Sequence, residues 1–403
     1  MPMPSRTDPR PAVQTARRAL RLSALAFSAL LWAVPASAFD TRARAAYILD
    51  QTTDTVLLTK NADEAIPPAS MSKLMTLYVA FEALRDGRLT LDERLPVSQH
   101  AMSYGGSTMF LDTTDRVKVE DLLQGIIVLS GNDACAVIAE ALSPDGTEAG
   151  FARYMTQRAK QLGMTQSTFA NSNGWPAPGH LMSVHDLAIL AQHIINDFPE
   201  YYPLFSETHF DFDGRAPSNT QNRNPLLKLG IGADGLKTGH TEEAGYGLVG
   251  SAKQGDRRVI FVVSGLPTVQ ARADEAEAIV NWSFRQFAKK TLVQDGTPVA
   301  KAKVWMGREP TVDLVPEGDL TLLLPAISSD DVQAEVVYDG PIHAPITKGQ
   351  KLAELVFTPE GMGEIRRPLL AANDVPNGGF LVRVQTAVKV LLGQVINGPE
   401  GAM

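Results

Sequence analysis

Two residues that together could perform nucleophilic chemistry stand three positions apart in the run Ser70-Met-Ser-Lys73. The residues that follow are apolar at helical spacing up to Gly87, so the sequence predicts a helix that begins at Ser70. Positions i and i+3 share one face of a helix, which places the Lys73 amine beside the Ser70 hydroxyl. A serine becomes a nucleophile when a neighbouring base accepts its proton, and a lysine can be that base once burial or nearby cations lower its pKa.

A second short motif, Ser130-Gly-Asn132, interrupts a helical pattern. Residues 120–129 and 133–142 both show helical periodicity, and the motif lies between them. On its own the motif indicates no more than a turn that ends a helix. Ser70 alone is equally ambiguous, because serine is a common residue at the N-cap of a helix.

A third motif, Lys237-Thr238-Gly239, enters a predicted strand and is followed by His240. Lys237 offers a positive charge, Thr238 offers a hydroxyl, and Gly239 lets a substrate backbone approach closely. The edge of such a strand could hydrogen-bond an extended peptide. Taken singly, Lys237 could be a solvated lysine in a turn, but the three motifs in this order, each in a fitting local context, predict one active site.

The elements that must position these motifs follow from the apolar pattern. Residues 45–59 read as strand, turn and strand. Further helices are predicted over 148–162, 184–196 and 274–290, and further strands over 246–251 and 258–264. From about residue 291 short β-rich runs punctuated by Pro and Gly replace the helical periodicity; they cover 312–315, 320–324, 336–338 and 352–357.

The chain is therefore predicted to be α+β, with a catalytic domain over residues 39–290 and a small all-β domain over 291–376. Residues 1–38 combine an arginine-rich start, an apolar run over 22–34 and an A-x-A cleavage site, which is typical of a secretory signal peptide. The alternative is a membrane-spanning helix, but the apolar run is shorter than the roughly 20 residues that a span needs.

The C-terminal segment, residues 377–403, has apolar residues at a period of 3.6 from Phe380 to Val395. This pattern predicts an amphipathic helix that lies in a membrane interface. The alternative is a helix packed against its own domain, and the presence of only two basic residues, Arg383 and Lys389, leaves that alternative open.

Composition excludes several classes of function. The net charge is −8, and because residues 1–38 carry five Arg and one Asp, the chain without them has a charge of −12. Such an acidic protein is a poor candidate for binding nucleic acid. The single cysteine, Cys135, is expected to be a buried and inert thiol. No H-E-x-x-H motif or thiolate cluster occurs, so no metal and no cofactor are predicted.

The fuller strings carry a resemblance to a known family. Pro-Pro-Ala-Ser70-Met-Ser-Lys73, Ser130-Gly-Asn-Asp-Ala-Cys135 and Asp234-Gly-Leu-Lys-Thr-Gly-His240 closely resemble the low-molecular-mass penicillin-binding proteins that are serine D-alanyl-D-alanine carboxypeptidases, peptidase family S11. The likeness extends over roughly residues 40–280. It implies a penicillin-binding or β-lactamase-like catalytic domain, in which helices flank an antiparallel sheet and a helical subdomain contains Ser130.

The resemblance implies that the substrate is the peptidoglycan stem pentapeptide, from which the terminal D-alanine is removed. Ser70 would attack the carbonyl between the two D-alanines and form an acyl-serine intermediate, and Lys73 would accept its proton. Ser130 would pass a proton to the leaving amine. β-Lactams would acylate Ser70 stably as covalent inhibitors.

Other residues would bind the substrate. Asn132 would hold the peptide backbone, while Lys237, Thr238 and Arg223, the last in an Asn-Arg-Asn string, would bind the terminal carboxylate. The backbone N–H groups of Ser70 and His240 would form the oxyanion hole. His240 is not expected to act as the base, because Lys73 already fills that role.

Alternatives remain at this stage. A class A β-lactamase uses a Glu-x-x-Leu-Asn loop for deacylation, and no Leu-Asn pair occurs in this chain. A non-catalytic cell-wall scaffold would not need all three motifs. An additional endopeptidase activity cannot be separated from the carboxypeptidase by sequence. The signal peptide and the C-terminal helix together predict a periplasmic protein attached to the outer face of the cytoplasmic membrane.

Overall fold

The computed structural model describes residues 39–380 apart from 216, 327–333 and 359–363, together with residues 384 and 388. The signal peptide predicted over residues 1–38 and most of the helix predicted over 377–403 lie outside the described residues. The described residues from Thr41 onward belong to one compact unit.

The first part of the chain alternates strands and helices. Three irregular helical turns also occur: a 3-10 turn at Ala69–Ser72, a π turn at Gly125–Leu129 and a 3-10 turn at Tyr202–Ser206. In chain order the elements are β1 (Ala45–Asp50), β2 (Thr55–Lys60), α1 (Lys73–Arg85), β3 (Arg94–Pro96), α2 (Gln99–Met102), β4 (Arg116–Lys118), α3 (Val119–Gln124), α4 (Asn132–Leu142), α5 (Glu148–Gln161), α6 (Val184–Asp197), β5 (Ala233–Thr241), β6 (Gly245–Gln254), β7 (Arg257–Leu266) and α7 (Val269–Arg285).

Five of these strands form one antiparallel sheet in the order β2-β1-β7-β6-β5. Neighbouring residues of a strand point to opposite faces, and every residue of β1 is buried, so both faces of the sheet are covered. Helix α6 shares a core cluster with Tyr47 and Val262, whereas α7 packs on β6 and β7 outside that cluster. The strand β5, which carries Lys237, is left at an edge of the sheet.

The remaining helices form a subdomain around α1, most of whose residues are buried. Helix α4 packs against α1, α2 and α5, and its apolar residues belong to the same large core cluster as those of α1. The predicted break at residue 130 is confirmed: α3 and its π turn end at Ser130, and α4 begins at Asn132.

The helix predicted over 274–290 is displaced. It spans Val269–Arg285, begins after the capping side chain of Thr268, which accepts a hydrogen bond from the Ala271 N–H, and is followed at once by a strand. Val280, Phe284 and Phe287 continue the helical spacing across this junction, which is why periodicity alone did not separate helix from strand. The predicted domain boundary at residue 290 falls inside that strand.

The second part of the chain is all-β, as expected. A six-stranded sheet has the order β12-β14-β15-β10-β9-β13, and β8 pairs separately with β11. Its own core cluster includes Val312, Leu322 and Leu369. The strands are β8 (Phe287–Val293), β9 (Ala300–Trp305), β10 (Thr311–Pro316), β11 (Leu320–Pro325), β12 (Ala334–Val337), β13 (Ile342–His343), β14 (Lys351–Phe357) and β15 (Ile365–Ala371).

Two arginines connect the two parts. The Arg257 guanidinium donates to the Phe287 carbonyl oxygen at 2.8 Å, and Arg367 donates to the Thr53 carbonyl oxygen at 2.8 Å. Within the described residues no helix has the length and apolar character that crossing a bilayer requires.

Candidate active site

The predicted nucleophile, Ser70, lies in the 3-10 turn that leads into α1. The turn is enclosed from two sides by glycines. Gly239 on β5 is so close that a Cβ atom there would lie 3.0 Å from the Met71 side chain. Gly174 has a φ of +81°, and a Cβ atom there would lie 1.9 Å from the Ala69 carbonyl oxygen. The sequence predicts that Gly239 lets a substrate backbone approach closely. The structure shows that the missing side chain of Gly239 also leaves room for the turn that carries Ser70.

The Lys73 amine is fully buried beside Ser70 and is held by three acceptors. Its Nζ atom lies 2.8 Å from Ser70 Oγ, 2.7 Å from Asn132 Oδ1 and 2.5 Å from the Asn173 carbonyl oxygen. Burial lowers the pKa of Lys73 to about 8, because the charged ammonium has lost its hydration. The first turn of a helix thus presents a lysine that can give up its proton near neutral pH.

A second serine–lysine pair faces this one from another part of the chain. The Lys237 Nζ atom on β5 donates to Ser130 Oγ at 2.9 Å, although the residues are 107 positions apart. Ser130 adopts the left-handed backbone conformation, with φ 65° and ψ 34°, at the break between α3 and α4. Burial and the nearby charges of Lys73 and Arg223 hold the pKa of Lys237 well below its usual value.

Asn132 joins the two sides of the cleft. Its side-chain oxygen accepts from Lys73, and its Nδ2 atom donates to the Gly105 carbonyl oxygen at 2.8 Å. Its backbone N–H donates to the Ser107 carbonyl oxygen at 2.8 Å. The side chain is therefore buried and fixed by contacts within the protein.

Two arginines make this end of the cleft strongly positive. Arg223, the expected second partner of the substrate carboxylate, donates to Ser107 Oγ at 2.8 Å and to the carbonyl oxygen of Leu129, the residue before Ser130, at 3.3 Å. Arg272, 5% exposed, donates to the Arg223 carbonyl oxygen at 3.3 Å and leaves its Nε atom without a partner. In the part of the chain that the structure describes, neither arginine forms an ion pair.

The remaining predicted residues lie on β5. Thr238 is buried next to Lys237, whose Nζ atom also donates to the Thr238 carbonyl oxygen at 3.2 Å. The ring of His240 is exposed and stacks on Tyr246, with ring centroids 3.8 Å apart. Within the described residues, no hydrogen bond links this ring to Ser70.

Sequence reasoning missed three contributors. Two of them, the Asn173 carbonyl oxygen and the Arg272 guanidinium, do not belong to any recognisable sequence motif. Glu148 is buried and accepts from the Ser172 N–H at 2.9 Å and from the Tyr104 hydroxyl at 2.6 Å, so it fixes the loop that brings Asn173 to Lys73. The Asn173-Gly174 pair was the only available signal, since a glycine at positive φ marks a sharp turn.

Cys135 is buried in α4, as expected, and burial raises the pKa of its thiol to about 12. Such a thiol stays protonated and is a poor nucleophile. Among the residues that the structure describes, no three His, Cys, Asp or Glu side chains come together in a way that could hold a metal ion.

Comparison with known protein families gives two matches along the chain. The sequence model for D-alanyl-D-alanine carboxypeptidases, peptidase family S11, matches residues 33–268. The model for the C-terminal domain of penicillin-binding protein 5 matches residues 287–377. The two matches fall on the catalytic and all-β parts respectively.

Individual proteins are similar over most of their length. The D-alanyl-D-alanine carboxypeptidase DacC of Escherichia coli (strain K12) is 36% identical over 351 residues, which cover 85% of this chain and 86% of that protein. DacF of Bacillus subtilis (strain 168), a D-alanyl-D-alanine carboxypeptidase, is 35% identical over 346 residues, covering 84% and 87% respectively.

Solved structures agree. Penicillin binding protein 5 from Haemophilus influenzae matches with a TM-score of 0.73 and 33% identity, over 84% of this chain and 99% of that one. The ampicillin-bound form of penicillin-binding protein D2 from Listeria monocytogenes matches with a TM-score of 0.55 and 32% identity, over 60% of this chain and 98% of that one. These matches support neither the β-lactamase nor the scaffold alternative.

Proposed function

Since the chain belongs to the D-alanyl-D-alanine carboxypeptidase family, peptidase family S11, and is a serine D-Ala-D-Ala carboxypeptidase, we propose how its two serine–lysine pairs divide the reaction. Ser70 and Lys73 form the acyl-enzyme, and Ser130 and Lys237 serve the leaving group. The observation that carries this proposal is the hydrogen-bond geometry around the Lys73 amine.

Neutral Lys73 has two N–H donors and one lone pair. The two donors are used by fixed acceptors, Asn132 Oδ1 at 2.7 Å and the Asn173 carbonyl oxygen at 2.5 Å. The lone pair is then left for the hydroxyl of Ser70 at 2.8 Å. As Ser70 Oγ bonds to the carbonyl carbon between the two D-alanines, its proton passes to Lys73, and the ammonium that forms gains its third partner.

The negative charge that develops on the carbonyl oxygen is stabilised by the backbone N–H groups of Ser70 and His240. Breaking the C–N bond releases D-alanine, whose amine takes a proton from the Ser130 hydroxyl. Ser130 regains a proton from the Lys73 ammonium, so the proton that left Ser70 ends on the released D-alanine. Lys237 supports Ser130 at 2.9 Å. Water then attacks the ester, and Ser70 departs with a proton, which restores the enzyme.

The carboxylate of the terminal D-alanine binds where positive charge is concentrated, at Lys237, Thr238, Arg223 and Arg272. Burial lowers the pKa values of Lys237 and Arg272, and the neighbouring cations lower them further, so an incoming carboxylate offsets that repulsion. Asn132 and the free edge of β5 hold the peptide backbone in an extended form.

Two measurements test this proposal. The mature protein is treated with penicillin and the adduct is mapped by mass spectrometry, and the release of D-alanine from a stem pentapeptide is measured separately. We expect one penicillin on Ser70 and release of the terminal residue only. The Ser70→Ala variant should show neither, with an unchanged melting temperature. An adduct elsewhere, or undiminished release by the variant, would refute the assignment.

We also propose that the protein is exported through its N-terminal signal peptide and acts in the periplasm, attached to the outer face of the cytoplasmic membrane. In support, Phe380, Val384 and Val388 are helical and exposed at intervals of four residues, so apolar side chains occupy one face of the C-terminal segment. Such a helix binds a membrane interface through its apolar face.

Flotation with anionic phospholipid vesicles tests the attachment. The mature chain should float with the vesicles, whereas the chain that ends at residue 376 should stay in the soluble fraction and keep its carboxypeptidase activity. Equal flotation of both chains would show that the C-terminal segment is not the anchor.

A further inference from the structure

A cavity of about 370 Å³ adjoins the nucleophile turn, and neither Ser130 nor Lys237 is among the residues that line it. Ala69, the residue before Ser70, and Thr241, the last residue of β5, both line it. Its other walls are largely apolar and come from the segments around Pro67 and around Trp175 to Leu181.

The cavity contains one charged residue. Glu243, in the turn between β5 and β6, is exposed at its rim. Within the described part of the chain, no hydrogen bond or ion pair engages the Glu243 carboxylate. The histidine of the lining, His180, is buried and accepts from the Ala170 N–H through Nδ1; burial lowers its pKa to about 4, so it is neutral. A cavity with apolar walls and one free carboxylate fits a side chain with an apolar stem and a cationic end.

The direction of the bound peptide leads to this cavity. The terminal carboxylate lies at Lys237 and Thr238, and the peptide runs along β5 from there. Extended chains advance about 3.4 Å per residue, so the residue that precedes D-Ala-D-Ala lies about 7–10 Å beyond Thr238, level with His240 or Thr241. Its side chain is then at the mouth of the cavity.

We propose that this cavity is a specificity site that takes an alkyl-ammonium side chain from the residue preceding D-Ala-D-Ala, with its methylene groups against the proline and tryptophan walls and its ammonium paired with Glu243. The proposal rests on the proposed function, because it assumes that the scissile bond lies at Ser70. An added carboxylate at the end of that side chain would weaken binding, since Glu242 and Glu243 make this turn acidic.

The test compares two substrates that differ only in one charge: Nα-acetyl-L-lysyl-D-alanyl-D-alanine with a free side-chain amine, and the same peptide with that amine acetylated. For the wild-type enzyme we expect kcat/KM to favour the free amine about three- to tenfold at low salt, and the preference to shrink at high salt. Glu243→Gln should bring the ratio of the two kcat/KM values towards one, and Glu243→Lys should invert it.

Glu242→Gln is the matched control, because Glu242 is the adjacent acidic residue and does not line the cavity. It should keep most of the preference. Equal cleavage of the two peptides by the wild type, or a preference that survives Glu243→Gln, would overturn the proposal while leaving the carboxypeptidase intact. Failure to cleave either peptide, together with failure to bind penicillin, would instead overturn the assignment of the active site.

Discussion

The two serine–lysine pairs of the cleft contain the same functional groups but are built differently. Ser70 and Lys73 are separated by one turn of helix, and Lys73 Nζ has two further acceptors that point it at the serine. Ser130 and Lys237 come from a helix break and an edge strand, and their surroundings are crowded with positive charge. In the proposed mechanism, the local geometry of a helix turn makes Lys73 a base, whereas the tertiary contact between Ser130 and Lys237 serves the substrate carboxylate and the leaving amine.

Replacing each lysine by arginine tests this division most strongly, because arginine keeps the positive charge but cannot act as a base. We expect Lys73→Arg to reduce the rate of acylation by penicillin about 10²–10⁴-fold, the range for loss of a general base. Lys237→Arg should cost about tenfold, since its role is electrostatic.

The measurement is the second-order rate constant of acylation, with melting temperatures of both variants as the control, because both lysines are buried. Equal losses in two folded variants would contradict the division of labour.

The pH dependence gives the next largest effect. The pKa of Lys73 is lowered to about 8, and the amine must be neutral to accept the Ser70 proton, so acylation should rise with pH and level off above that value. Each unit below the pKa costs tenfold, so the rate at pH 6 should be about 100-fold below the plateau. Stopped-flow acylation from pH 6 to 10 measures this, and a flat profile from 6 to 8 would refute the basic role of Lys73.

Removing a cation that lies near the second pair should have a smaller and more selective effect on the reaction. Arg272→Ala should lower kcat/KM for a D-Ala-D-Ala peptide by about tenfold or more, the worth of a hydrogen bond to a charged group. For the same peptide with a C-terminal amide, the wild type should already be slow and the variant should lose little more. If both substrates suffer equally, Arg272 has only a structural role.

The smallest expected effect is that of replacing Glu148, which fixes the loop that brings Asn173 to Lys73 of the first pair. Glu148→Gln replaces one of the two acceptor oxygens with an NH₂ group, which then faces either the Ser172 N–H or the Tyr104 hydroxyl, and this should lower the free energy of unfolding by about 1–3 kcal/mol. Urea denaturation measures this, with the exposed Glu120→Gln as the control. An unchanged stability would show that the loop carrying Asn173 does not depend on Glu148.

The same contrast explains what the sequence could reveal. The contact between Ser70 and Lys73 follows from helical spacing, and the helix break at Ser130 follows from local composition, so both were predicted. The proximity of Ser130 to Lys237 followed only from the joint occurrence of the motifs, because no local rule connects positions 107 apart.

Groups without a motif were not found at all. Arg272 lies on a helix whose boundary was itself misplaced, and the Asn173 contact uses a backbone carbonyl, which every residue possesses. The overall architecture was easier to predict from the sequence than these contacts, because the change from helical to alternating periodicity near residue 291 indicates the all-β part. The exact end of the last helix was not predicted, because aromatic residues at the junction fit both the helical and the strand pattern.

The glycine behind the nucleophile limits how this enzyme can change. Because Gly174 touches the Ala69 carbonyl oxygen and has a backbone conformation that other residues adopt poorly, substitution there would push the Ser70 turn out of place. Its neighbour Trp175 is 44% exposed and lines the cavity beside the nucleophile turn without such a constraint. Mutations that change substrate choice or β-lactam susceptibility can therefore be tolerated at position 175 but not at position 174, one residue away.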